Sequence, residues 1–213
     1  MDINTRNLLD IKLEKTKEAL IKNNMDARIV NSASQVREEI TKIIEEGASV
    51  NLGGSQTLFE CGVIDLLRGM NINLQDRYAP NLTRDELEEI YRQAFSCDYY
   101  ISSSNAVTIN GELYNVDGRS NRVAALSYGP KHVILVVGSN KIVNDLEEAK
   151  KRVESIAAPA NCMRLNRPTP CTKVGHCMDC KSEARICCTY VTHKYQMVKN
   201  RIIVLLVKEE FGY

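Results

Sequence analysis

Two uninterrupted apolar runs, Val133-Ile-Leu-Val-Val137 and Ile202-Ile-Val-Leu-Leu-Val207, constrain this chain more than anything else in it. Each has strand length and is rich in β-branched residues, and neither has a polar face. A strand apolar on both faces has to be covered twice, as in a parallel sheet packed between helices. Further strand candidates are Ala27–Val30, Ala48–Leu52, Ile72–Leu74 and Asp98–Ser102.

Helical patterns fall between them. Leu9, Leu13, Thr16 and Leu20 form one stripe, and Val36, Ile40, Ile43 and Ile44 form another behind a Ser32/Gln35 cap, with Gly47 just beyond it. Leu58 to Leu67 reads as one helix, as does Leu146 to Ile156. Thr83 and Glu86 have capping-box spacing ahead of Leu87, Ile90, Tyr91 and Ala94. Asn110-Gly111 between Ala106–Ile109 and Leu113–Val116 predicts a hairpin. From Ala157 to Cys188 no period is visible. The alternation predicts an α/β fold: an open, mainly parallel sheet with helices on both faces, as a single domain over residues 1–213 with a Cys-rich segment at 162–188.

Lys and Arg are scattered and the formal net charge is +1, so no nucleic-acid footprint stands out. The first residues lack a secretory pattern, and the longest apolar run is too short to span a bilayer. These features predict a cytoplasmic protein with neither nucleic-acid nor membrane partners. Its oligomeric state, a homo-oligomer included, is left open.

Three strand candidates end in small polar residues: Gly53-Gly54-Ser55 with Thr57, Ser102-Ser-Ser-Asn105, and Gly138-Ser-Asn140-Lys141. Alone, a Gly-Gly turn is more often a tight corner than a site, and Ser or Asn after a strand often just caps a helix. In a parallel sheet, however, all three ends line one crevice. The segment Asp117-Gly-Arg-Ser-Asn-Arg122 adds a carboxylate and two guanidiniums. Arg122 could clamp a carboxylate or phosphate in bidentate fashion, Lys141 is a further cation, and Asp117 reads equally well as an ion-pair partner of Arg122. Neither the dinucleotide fingerprint nor the P-loop lysine is present, and no flavin motif is seen. The three His are scattered, so the weak candidates for acid, base or nucleophile are Glu60 and Asp117.

Of the eight cysteines, six crowd one stretch. Cys171, Cys177, Cys180 and Cys187 supply four thiols, and Cys177-x2-Cys180 has metal-chelating spacing. Zinc and an iron–sulfur cluster both suit such a set, although the bacterial ferredoxin run is not matched. Cys162 and Cys188 are spare thiols: ligands, redox partners or plain buried residues.

Gly53-Gly-Ser-Gln-Thr57 with Glu60 and Gly62, Ser104-Asn-Ala-Val-Thr-Ile-Asn-Gly111, Asp117-Gly-Arg-Ser-Asn-Arg-Val-Ala124, Val137-Gly-Ser-Asn-Lys-Ile-Val143 and Ala157-Ala-Pro-Ala-Asn161 occur in that order. The ordered set resembles the LUD-domain family of lactate utilization proteins over roughly residues 10 to 205. The resemblance implies a fold similar to the sugar-phosphate isomerase and CoA-transferase superfamily. It also implies a part in oxidising L-lactate to pyruvate alongside iron–sulfur partner proteins. By position, Gly53, Ser55, Thr57 and Glu60 match the family's first motif. Asn105, Thr108, Asp117, Asn121 and Arg122 match the second, and Asn140 and Lys141 the third. The Cys-rich tail looks like a variant of some members only.

The leading expectation is thus a binder of a small anionic organic acid, an accessory to lactate oxidation. The alternatives are a metal- or redox-responsive module working through its cysteines, and, by analogy of fold alone, an isomerase or CoA-transferase-like enzyme.

Overall fold

The computed structural model describes residues 2–213. Six strands form the main sheet: β1 (Asp26–Val30), β2 (Ser49–Leu52), β3 (Asn73–Gln75), β4 (Tyr99–Ser102), β7 (His132–Gly138) and β10 (Ile202–Val207). Their order is β1-β10-β7-β4-β2-β3, and every neighbouring pair is parallel. The two apolar runs, in β7 and β10, lie side by side near its centre, and all six residues of β10 are buried.

Each face carries its own core. On one, α2 (Ala33–Ile43) brings Val36 and Ile40 against Ile134, Val136 and Leu205. On the other, α1 (Ile3–Lys22) brings Leu13 and Leu20 against Val133, Leu135, Val204 and Leu206. The capping box at Thr83 and Glu86 opens α5 (Arg84–Gln93) with both reciprocal hydrogen bonds formed. Its Leu87, Ile90 and Tyr91 are only partly buried, and Ala94 beyond its end is buried.

Two local readings differ from the structure, and a third is borne out in a setting of its own. The stretch 58–67 is not one helix: Gly62, at φ +67°, separates α3 (Gln56–Glu60) from α4 (Val63–Gly69). The predicted hairpin forms as β5 (Ala106–Thr108) and β6 (Leu113–Asp117), but in a second sheet of order β8-β5-β6-β9, with β8 at Ile142–Val143 and β9 at Thr189–His193. The segment after 157 is not wholly irregular either. Helix α7 (Leu146–Arg152) continues through a π-helical turn, Val153–Ala157, into α8 (Ala158–Arg164), and Pro159 is tolerated at that helix's start. A short α9 (Cys171–Val174) follows.

Among the described residues no helix is long and apolar enough to cross a membrane. Because the main sheet is parallel, the carboxyl ends of β2, β4 and β7 all reach one edge. The chain leaving β2 runs outward to β3, whereas the chain leaving β4 ends up on the opposite side at β7, so strand order reverses between β2 and β4. That reversal is where an open α/β sheet leaves a crevice.

Candidate functional site

A cavity of about 380 Å³ opens at this edge. Of the residues singled out from sequence, Gly54, Ser55, Asn105, Asp117, Asn121, Arg122 and Lys141 line it. Three strand ends and the start of α6 (Asn121–Ser127) therefore do converge.

The others stand behind the wall. Gly53 lets β2 approach β4: a Cβ there would fall 2.4 Å from Ser102 Oγ and 2.8 Å from Ser102 Cβ. Thr57, fully buried, accepts a hydrogen bond from Lys141. Asn140 takes the Phe211 N–H on its Oδ1 and donates to Gly212 O at 2.8 Å, tying down the C-terminal segment. Glu60 accepts from the Gly212 N–H at 2.6 Å and does not face the cavity. Thr108 belongs to the hairpin turn, donating to Glu112 and accepting its N–H.

The lining is strongly basic: Arg77, Arg119, Arg122, Arg164, Arg167 and Lys141 oppose one carboxylate, Asp117. These cations are not equivalent. Arg122 is buried and engages four protein acceptors. Nη1 donates to Asn115 Oδ1 at 2.6 Å and to Ser103 O at 3.3 Å. Nη2 donates to Val116 O at 2.7 Å and to Asn105 Oδ1 at 2.9 Å. Its Nε lies 3.9 Å from Asp117, whose other task is to accept the Val123 N–H at the start of α6. Arg122 therefore braces the wall, joining the loop after β4 to the end of β6. Burial holds its pKa below the usual guanidinium value.

Lys141 is 3% exposed. Its ammonium donates to Thr57 Oγ1 at 2.6 Å and to Ser103 Oγ at 3.0 Å, and it has no carboxylate in ion-pairing range among the described residues. Burial, reinforced by Arg152 and Arg122 nearby, pushes its pKa down to about 7. Such an amine carries a proton part of the time near neutrality, so it can give one to, or take one from, a bound molecule.

Arg119 is paired with Glu88. Arg77 packs over the Tyr91 ring at 4.8 Å and donates to its hydroxyl. Arg164 donates to Asn161 on its own helix and lies near the Tyr213 hydroxyl, and Arg167 has no side-chain partner among the described residues. Arg77, Arg164 and Arg167 thus face the cavity with no carboxylate to neutralise them. Ser55 Oγ, also in the lining, is buried and has no hydrogen-bond partner. The cavity lining thus holds a buried hydroxyl without a partner and positive charge that no carboxylate offsets. Sequence reasoning missed Arg77, Arg164 and Arg167. The first follows Asp76 just after a three-residue strand, and the other two sit in the stretch without a period.

The LUD domain family model matches residues 13–207. The chain belongs to the LUD domain family. Among solved structures, this LUD domain is similar to a DUF162 family protein from Deinococcus radiodurans at 17% identity and a TM-score of 0.52. The match covers 93% of this chain and 97% of that one, a likeness of fold. No curated protein matches the sequence. In this LUD domain, the matched span includes all three polar strand ends and every unneutralised arginine of the crevice.

Five of the eight cysteines gather in one place and three stand apart. Cys61 and Cys97 are buried within the two main cores and Cys188 is exposed. Cys162, Cys171, Cys177, Cys180 and Cys187 all border a second cavity of about 20 Å³. All eight are free thiols. Among the described residues, no three His, Cys, Asp or Glu side chains meet at the spacing one metal ion requires.

Proposed function

We propose that the crevice binds a small anionic organic acid and that the protein is an accessory component of L-lactate to pyruvate oxidation. Membership of the LUD family supports a role related to lactate utilization in general. The observation that carries the ligand class is the set of unneutralised guanidiniums, Arg77, Arg164 and Arg167, lining one cavity together with the buried Lys141. A planar carboxylate matches the guanidinium fork, while the Lys141 amine and Ser55 hydroxyl suit the hydroxyl or keto oxygen beside it.

Oxidising lactate to pyruvate removes two electrons and two protons. Lys141, near half-protonated at neutral pH, would meet the bound acid as the charged ammonium, donating a hydrogen bond to its carboxylate or to the oxygen beside it. In this reading both electrons and both protons leave the substrate at the iron–sulfur partner proteins, and this chain holds the acid as an accessory component. Glu60 has no part in it, being engaged with the Gly212 N–H away from the cavity, and that placement also weighs against an isomerase or CoA-transferase-like reaction using Glu60. Asp117, at the rim and capping α6, is the carboxylate closest to such chemistry.

The test is a calorimetric titration of the purified protein with L-lactate and with pyruvate, set against the uncharged amide, lactamide. Heat of binding from the acids and none from the amide is the expected result. Equal binding of the amide, or no binding of either acid, would remove the organic-acid assignment.

A further inference from the structure

The second cavity is built from one stretch of chain, 158–187, folded back on itself. Cys162 comes from α8 and Cys171 from the first position of α9. Cys177, Cys180 and Cys187 come from the loop that follows. The loop is held over the helices by specific contacts. The Cys177 N–H donates to Glu154 O at 2.8 Å, in the π-helical turn. The Arg185 guanidinium donates to Cys187 O at 2.7 Å and to Cys180 O at 2.5 Å. Within the Cys177-x2-Cys180 turn, Asp179 adopts φ +45° and aims its N–H at Cys177 Sγ, 3.4 Å away. A backbone N–H directed at sulfur stabilises negative charge there, which a thiol does not need and a thiolate does.

We propose that Cys162, Cys171, Cys177, Cys180 and Cys187 form a binding site for a thiophilic metal, zinc or iron with sulfide. On binding, each ligating S–H releases its proton to solvent and a thiolate–metal bond takes its place. Cys162 and Cys171 are carried on helices and define the floor. The three loop thiols stand around the cavity rather than at one point, so they close in by rotamer and loop adjustment when the metal binds. The proposal adds Cys162, which spacing alone leaves out, and omits Cys188, which is exposed and outside the cavity.

The site shares a wall with the anion crevice. Ala158 and Cys162 of α8 face the thiols, while Asn161 and Arg164 of the same helix line the crevice, and Ile186 borders both cavities. Metal binding therefore fixes the segment that presents Arg164 and Arg167. The metal assignment stands without the organic-acid reading, because its test involves no anion.

The test measures zinc, iron and acid-labile sulfide per chain on full-length protein purified without oxygen, before and after reconstitution under reducing conditions. The expected result is stoichiometric zinc, or iron with sulfide, that is lost in Cys177→Ser/Cys180→Ser and in Cys162→Ser and fully retained in Cys188→Ser. Hydrogen exchange on the wild-type chain gives a second readout needing no variant, with backbone amides from 162 to 188 slowing on metal loading. Iron with sulfide identifies a cluster and zinc a mononuclear site. The proposal is overturned by a wild-type chain that takes up neither metal after reconstitution. Metal retained by the Cys177→Ser/Cys180→Ser chain overturns it equally.

Discussion

Lys141 Nζ lies 2.6 Å from Thr57 Oγ1, a hydrogen bond that joins the turn after β7 to the first turn of α3 across the strand β4 between them. The bond holds an ammonium group in a buried position with hydroxyl partners and no carboxylate. Its proton is therefore available to a bound anion.

Anion binding should favour the charged amine and draw a proton onto Lys141. With a pKa of about 7 in the free protein, pyruvate affinity is expected to fall as pH rises from 6 to 9. Binding at pH 8 should take up close to one proton, as read from calorimetry in two buffers of different ionisation enthalpy. Affinity independent of pH, without proton uptake, would mean that Lys141 does not meet the ligand.

The same group sets a stability slope. The unfolded chain holds its lysine proton up to the ordinary value of 10.5, whereas the folded chain releases it near 7. Between those limits the unfolded state binds more protons, so this residue's contribution to stability rises with pH, by at most about 1.4 kcal/mol per unit. Lys141→Met should flatten that slope and raise stability at pH 6 in urea titrations. An unchanged slope would show that the amine is solvated.

Arg122→Met should behave as a core lesion. It leaves Asn115 Oδ1, Asn105 Oδ1, Val116 O and Ser103 O without their donor. A loss of about 3–5 kcal/mol in chemical denaturation is expected. Lys should not rescue it, because one ammonium cannot reach acceptors arranged for a planar fork. A change below about 0.5 kcal/mol would refute the bracing role.

Gly53→Ala should cost about 1–3 kcal/mol, because the new methyl meets Ser102 at the point where β2 and β4 diverge. Gly54→Ala should be milder, since its nearest neighbour, Arg77 Nη1 at 3.4 Å, is the end of a flexible side chain. Denaturation midpoints of the two variants in the reverse order would contradict this packing.

What could be read from sequence followed physical range. β7 and β10 were legible because apolar on both faces means covered on both faces, and the capping box at Thr83 and Glu86 was legible because its signal is four residues long. The three polar strand ends converge as parallel pairing requires. The break at Gly62 was missed because the apolar pattern runs across it, and only its positive φ reveals the turn. β9 was missed because its partner β6 lies more than seventy residues away and its own residues are half exposed. Arg122 was visible as a cation but not as a brace, since its four acceptors come from scattered positions. Arg164 and Arg167 become site residues only because α8 continues past a π-helical turn.

The central claim is that the arginines with no carboxylate partner recognise an organic acid. Arg164→Ala/Arg167→Ala removes two of them without removing any carboxylate ion pair, so stability should change by no more than about 1 kcal/mol. Pyruvate titrated into wild-type and variant protein in low-salt buffer is the direct comparison. The account predicts measurable binding in the wild type, weakened about tenfold or more in the variant. Equal affinity in the two proteins would contradict it.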